Sequence, residues 1–215
     1  MLCNIISRIQ FCGKIILATL SHIPESDMKE ILMLKDRLSL LESQHQCQES
    51  FMDYVRYIWD GFIEGEHHRL IADKLTEVAQ GKCKRLIVNM PPRHTKSEFA
   101  SVYFPSWIMG LKPDMKIMQT THTADLSIRF GRKVRNLMDT DEYKRMFSDV
   151  SLAADSKSAG RWQTAQGGEY FAAGVGGAIT GRGADLLIID DPHSEQDALS
   201  LNAMEGAYEW YTSGP

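Results

Sequence analysis

From residue 25 to about residue 82 the apolar positions recur every three or four residues, and beyond them they gather into short unbroken runs. The helical spacing is clearest from Glu25 to Gln48, where Ile31, Leu34, Leu38 and Leu41 share a face behind an acidic start, Glu25 to Asp27. A second helix is expected over Glu49 to Trp59, with Gly61 and Gly65 bracketing the loop after it. A third covers HHRLIADKLTEVAQ and stops at Gly81, a residue free to take the left-handed turn that ends helices. Residues 25–82 therefore read as an α-helical N-terminal segment.

From residue 83 the pattern changes. RLIVNM, Arg85 to Met90, is a short run with β-branched residues, closed by Pro91-Pro92, and is expected to be a buried strand. The helix SEFASVYFPSWIMG follows, bent or ended by Pro105 and stopped at Gly110. KIMQTTH, Lys116 to His122, is the next expected strand, with ADLSIRFGRKVRNLMD the helix behind it. A glycine-containing stretch with short strands then runs to Gly183. LLIIDDPH, Leu186 to His193, is an apolar strand ending in two carboxylates and a proline. Strand–helix alternation with unbroken apolar strands predicts an α/β fold, its sheet mainly parallel and flanked by helices.

Composition narrows this picture only a little. The 215 residues suffice for one sizeable α/β domain, or a domain with an appendage. A hydrophobic fraction of 43% with 24% charged residues excludes a disordered or fibrous chain. The formal net charge of -4 argues against a dedicated basic duplex binder, though it permits a local grip on DNA. Cys3, Cys12, Cys47 and Cys83 form no C-x-x-C pair, so neither zinc nor a disulfide framework is indicated, and a reducing compartment fits. The apolar start MLCNIISRIQFCGKIILATL is interrupted by Arg8 and Lys14 and is too short and charged to span a bilayer. Residues 1–24 read as an amphipathic or poorly ordered leader.

Two stretches carry candidate chemistry. RLIVNMPPRHTKSEFAS has the layout of a phosphate cradle: strand, tight turn, then Lys96-Ser97 opening a helix. Met90 and Thr95 stand where the general G-x-x-x-x-G-K-[ST] pattern has its glycines. Backbone N–H groups do most of the work in such a cradle, and Pro91-Pro92 can also fix a rigid turn. Lys96 is then placed for the β- and γ-phosphates and Ser97 for Mg²⁺. The second stretch is LLIIDD, which delivers Asp190 to the crevice at the carboxyl edge of an open α/β sheet as a magnesium ligand. Asp191 follows it, where a base for an attacking water belongs. Lys-Ser after a strand also arises by chance, and Asp-Pro is an ordinary turn starter. It is the two in this order that point to a nucleoside triphosphate site.

The same stretches, with the GRKVRNLM helix and GGAITGRGADLLIIDDPHSEQDA, resemble the ATPase domain of the large terminase subunit of tailed bacteriophages. Those motors pump viral DNA into empty capsids. The similarity runs from about Phe51 to the end. It implies an ASCE-type P-loop fold over residues 83–215, with ATP and Mg²⁺ as cofactors. Phosphate would be held by Pro92, Arg93, His94, Thr95, Lys96 and Ser97, and Mg²⁺ by Ser97 and Asp190. Arg93 would stabilise the transition state. Most members of this branch have Gly where Thr95 stands, which predicts a stiffer loop here. The family's catalytic carboxylate is usually Glu, whereas the neighbour here is Asp191, so water activation falls to Asp191 or to Glu195. EGEHHRLIADKL resembles the adenine-contacting region, which makes His67 and His68 base-contact candidates. Arg129, Arg132, Arg135 and Arg182 are candidates for a finger reaching a neighbouring subunit, or for DNA.

Further expectations come with the resemblance. Partners would be double-stranded viral DNA, a portal protein, a terminase small subunit and further copies in a ring. The place of action would be the bacterial cytoplasm, with transient docking on the procapsid and no membrane. In the family another strand, arriving after the Asp190 strand, stands between it and the loop strand. This chain reaches Pro215 before such a strand or the acid-rich nuclease domain, so an incomplete sheet, marginal stability and feeble turnover are expected. Two other readings remain beside this one: a helicase-like P-loop ATPase, or a non-catalytic prophage remnant that keeps the motifs by descent.

Overall fold

The computed structural model describes residues 24–155, 158–177, 179 and 181–213. Of the expected leader, 1–24, residues 1–23 lie outside them. The chain divides into two compact units, Met1–Ser43 and Gln44–Pro215. The described part of the first is the N-terminal stretch of α1 (Glu25–Glu49), on which Ile31, Leu34, Leu38 and Leu41 are all exposed.

In the second unit, α2 (Phe51–Ile58) begins at Ser50, whose hydroxyl accepts the Asp53 N–H and so satisfies one of the orphan donors of the first turn. α3 (Glu66–Ala79) begins after Gly65. A long helix, α4, spans 96–111 in three consecutive segments: Lys96–Glu98, a π-helical turn Phe99–Tyr103, and Phe104–Leu111. Then come β1 (Lys116–Thr121), α5 (Ala124–Met138), α6 (Asp141–Met146), β2 (Arg161–Gln163), β3 (Glu169–Gly174), β4 (Leu186–Ile189) and α7 (Leu201–Ser213).

Among the described residues four strands form one sheet in the order β2-β3-β1-β4. β1 pairs in parallel with β3 and with β4, and only β2 runs antiparallel, against β3. The expected α/β class with a mostly parallel sheet flanked by helices is therefore present. β1, between β3 and β4, is the centre, and every residue from Ile117 to Thr121 is buried. Half-buried β4 closes one edge. Helix α5 lies on β3 so closely that a Cβ at Gly131 would sit 2.7 Å from the Ala159 carbonyl and 2.9 Å from the Tyr170 ring. Trp162, on β2, stacks flat on Tyr170 and donates its indole N–H to the Gly131 carbonyl.

The main core joins helices and sheet through large aromatic side chains. Phe51 is wholly buried and meets Phe99 and Phe104 edge to face, with centroids 5.7 Å away in each case, which anchors α2 on α4. Trp107 donates to the Cys47 carbonyl at 2.6 Å.

Two expectations need correction. Residues 85–90 do not join the sheet. They are extended and alternate, with Leu86, Val88 and Met90 packed on the core and Ile87 85% exposed. Their backbone makes no hydrogen bond to another backbone group among the described residues. β-branching and the following proline favour the extended form, but a strand also requires backbone partners, and none bonds to this run among the described residues. The helix from Ser97, in turn, is neither ended by Pro105 nor stopped at Gly110. Proline removes one ladder N–H and crowds the carbonyl four residues back, and the π turn just before it absorbs that misfit, with Phe104 N–H reaching the Phe99 carbonyl. Gly110 serves close packing instead: a Cβ there would lie 2.7 Å from the Phe147 ring.

Candidate functional site

Parallel pairing brings the carboxyl ends of β1 and β4 to one rim. The ladder continues past β4, with Asp190 N–H donating to the Thr120 carbonyl at 2.9 Å and His122 N–H to the Asp191 carbonyl at 3.1 Å. These bonds fix the directions of the two acids. Asp190 is only 6% exposed, and its Oδ2 accepts the Ser101 hydroxyl at 2.9 Å. Ser101 in turn accepts from the Gln119 amide at 3.2 Å. Asp191 takes a left-handed backbone, φ 46°, and turns its side chain toward solvent. Asp tolerates that region better than most residues do.

The start of α4 delivers Lys96 to the same rim. Its Nζ donates to Asp191 Oδ1 at 2.6 Å and lies 3.6 Å from Asp190 Oδ1. Burial alone pulls the Lys96 ammonium down. The hydrogen bond and charge of Asp191, with Asp190 behind it, outweigh that and hold it above the ordinary lysine range. The amine and both carboxylates therefore converge, as the order of motifs led one to expect.

The loop before Lys96 is tight. Arg93 and Thr95 both have left-handed backbones, φ 64° and 63°. For a β-branched residue such as Thr95 this costs about 1–2 kcal/mol. His94 Nδ1 meets the Pro92 carbonyl at 2.9 Å. Pro92, Arg93 and His94 are exposed, Ser97 is half-buried in the first turn of α4, and Arg93 forms no ion pair among the described residues. Glu195 is exposed, and no hydrogen bond or ion pair among the described residues joins it to Lys96, Asp190 or Asp191.

His68, expected at a nucleobase, is 5% exposed. Its Nδ1 accepts the Gly65 N–H at 2.9 Å and its Nε2 meets the Thr95 hydroxyl at 2.6 Å. Burial first, then the neighbouring His67, lowers its pKa, against a smaller raising effect of Glu64.

The arginine candidates lie elsewhere. Arg182 sits 4.3 Å over the Phe171 ring and 3.3 Å from Glu169, beside a cleft of about 220 Å³ at the amino ends of β1 and β3, the opposite edge of the sheet from Lys96. Arg129 and Arg132 are exposed on α5, and Arg135 donates to the Ser158 carbonyl. Ser101 and Gln119 were not among the sequence-predicted residues. Their signal was a hydroxyl and an amide set inside otherwise apolar runs, where a buried polar group demands a partner.

Among the described residues no cluster of three or more His, Cys, Asp or Glu is built to hold a metal, and no helix is long and apolar enough to cross a membrane. No family model, curated protein or solved structure matches the chain.

Proposed function

We propose that this chain is an ATP-binding and hydrolysing domain of the terminase large-subunit kind, in which hydrolysis drives movement of viral DNA. One observation carries the reading: a lysine at the start of a helix lies 2.6 and 3.6 Å from two carboxylates at the carboxyl end of a parallel strand. A structural salt bridge needs only one acid. Two acids, one buried and one exposed, give a cation site and a base beside it.

The residues fit a magnesium ion. Ser97 and Asp190 offer hard oxygen donors, and so small a protein set suits Mg²⁺, which keeps waters and takes phosphate oxygens as its remaining ligands. When bound, Mg²⁺ neutralises charge that builds on the phosphate oxygens. Lys96 leaves Asp191 for the β- and γ-phosphates as the substrate enters. That exchange frees the Asp191 carboxylate to take a proton from the water that attacks the γ-phosphorus, while the bond to the β-phosphate oxygen breaks. Ser101 holds Asp190 in place throughout. Arg93, exposed at the loop with a left-handed backbone, would add a second cation to the substrate phosphates. Residues 85–90 are extended but unpaired and β4 has one open edge, which agrees with a family sheet that has a strand between them.

Titration calorimetry with Mg-ATP tests the proposal. Wild-type chain should bind, Lys96→Ala should weaken binding at least about tenfold, and DNA should accelerate phosphate release. Binding without turnover favours the non-catalytic remnant. Absence of any Mg-nucleotide heat from the wild-type chain ends the reading.

A further inference from the structure

We infer that His68 is a positioning residue which clamps Thr95 in its left-handed backbone and so shapes the phosphate loop, rather than a contact to the nucleobase. The inference rests on the nucleotide-site reading for its consequence, but not for its geometry. Thr95 precedes α4 and has φ 63°, ψ 11°, a conformation natural to glycine and adverse to a β-branched side chain. Its hydroxyl does not cap the helix. It is held on both sides instead: it donates to the His94 carbonyl at 2.6 Å and is met by His68 Nε2 at 2.6 Å.

The tautomer follows from the other ring nitrogen. Because the Gly65 N–H donates to Nδ1, the neutral ring carries its proton on Nε2 and donates to Thr95. The chain of donors therefore runs from Gly65 to His68, to Thr95, to the His94 carbonyl, without a conflict. The ring itself is fixed by packing. It stacks on Phe99 with centroids 5.0 Å apart and an interplanar angle of 23°, and it meets Phe62 at 4.9 Å and His67 at 3.9 Å. With both nitrogens engaged and the residue 5% exposed, it has no free edge for a base. A side-chain clamp thus does here what a glycine's freedom would do: it keeps the residue before Lys96 in the turn that aims the following N–H groups and the amine.

A double-mutant cycle decides the matter, with Mg-ATP and Mg-GTP as probes and thermal unfolding of every variant as control. His68→Ala should weaken Mg-ATP binding about tenfold or more when Thr95 is present, and His68→Gln, which keeps a donor, should recover part of the loss. In a Thr95→Gly background, where no clamp is needed, His68→Ala should change affinity by less than about twofold. Equal losses in both backgrounds, or a change in the ratio of ATP to GTP affinity, overturn the inference in favour of a base contact or a purely structural role. Should His68→Ala not fold, nitrogen-15 spectra of the histidines settle it: the wild-type His68 signal must be that of the Nε2–H tautomer and must shift in Thr95→Val. The opposite tautomer, or no shift, overturns it. These spectra need no nucleotide, so a wild-type chain that binds none defeats the functional reading while the clamp is still decided.

Discussion

Lys96, Asp190, Asp191 and His68 show how far a residue's meaning depends on its neighbours. The first three are legible in the sequence because each ends or begins an element whose type the pattern reveals. His68 is not. A histidine at a helix start reads as polar and exposed, or as a base contact, and only packing by Phe62 and Phe99 makes it a buried donor. That burial has a pH consequence. His68 titrates below its ordinary value of 6.5 in the folded chain, disfavoured by burial and by the facing His67 and His94 and favoured only by Glu64. Just below pH 6.5 the unfolded chain therefore binds more protons than the folded one, so stability is present above that pH and is lost as pH falls. The thermal midpoint should drop between about pH 7.5 and about pH 5.5, and His68→Gln should flatten that drop. Identical slopes for the two proteins would rule His68 out as the group responsible.

Among the elements, the extended run 85–90 and the helix after it teach opposite lessons about local signals. Leu86, Val88 and Met90 pack on the core and Ile87 does not, so the run expected to be a buried strand is neither paired nor buried on both faces. Pairing depends on an edge far away in sequence, which local propensity cannot report. Substitution should follow the alternation: Ile87→Lys ought to leave stability within about 0.5 kcal/mol, whereas Val88→Asp buries a charge and ought to cost more than about 2 kcal/mol. Chemical denaturation of both variants checks this, and equal effects would show that the run does not lie as described. In α4, Pro105 looked like an ending, but the π turn before it carries the helix on to Leu111 and places Ser101 against Asp190. The π turn absorbs the proline misfit locally, so the helix need not break.

For the whole molecule, the site joins segments nearly one hundred residues apart, Lys96 and Asp190–Asp191, across the rim of one sheet. The site exists only in the folded chain, because folding alone brings Lys96 to the two acids. A ligand that binds the folded chain alone should therefore stabilise it measurably. At about 100 times its dissociation constant, Mg-ATP adds about 2.7 kcal/mol, which for a chain of this size raises the thermal midpoint by roughly 5–11 °C. Lys96→Ala, with binding at least about tenfold weaker, should cut the shift by about half or more at the same nucleotide concentration; a shift of equal size in that variant would mean the nucleotide binds elsewhere. The formal net charge of -4 supplies no overall attraction to DNA, so the proposed hold on DNA has to come from local cations.

By itself the sequence determined the α/β class, the helices before residue 80 and the one behind β1, the strand that carries the acids and the identities of the lysine and carboxylates, because periodicity and residue type are local properties; α6, α7 and the passage of α4 through Pro105 were not legible in it. Tertiary structure alone decided which extended runs pair, that Ser101 and Gln119 back Asp190, and that His68 holds Thr95. Each of those depends on a partner distant along the chain, and a hydrogen bond or a ladder exists only when folding brings both halves within about 3 Å of each other.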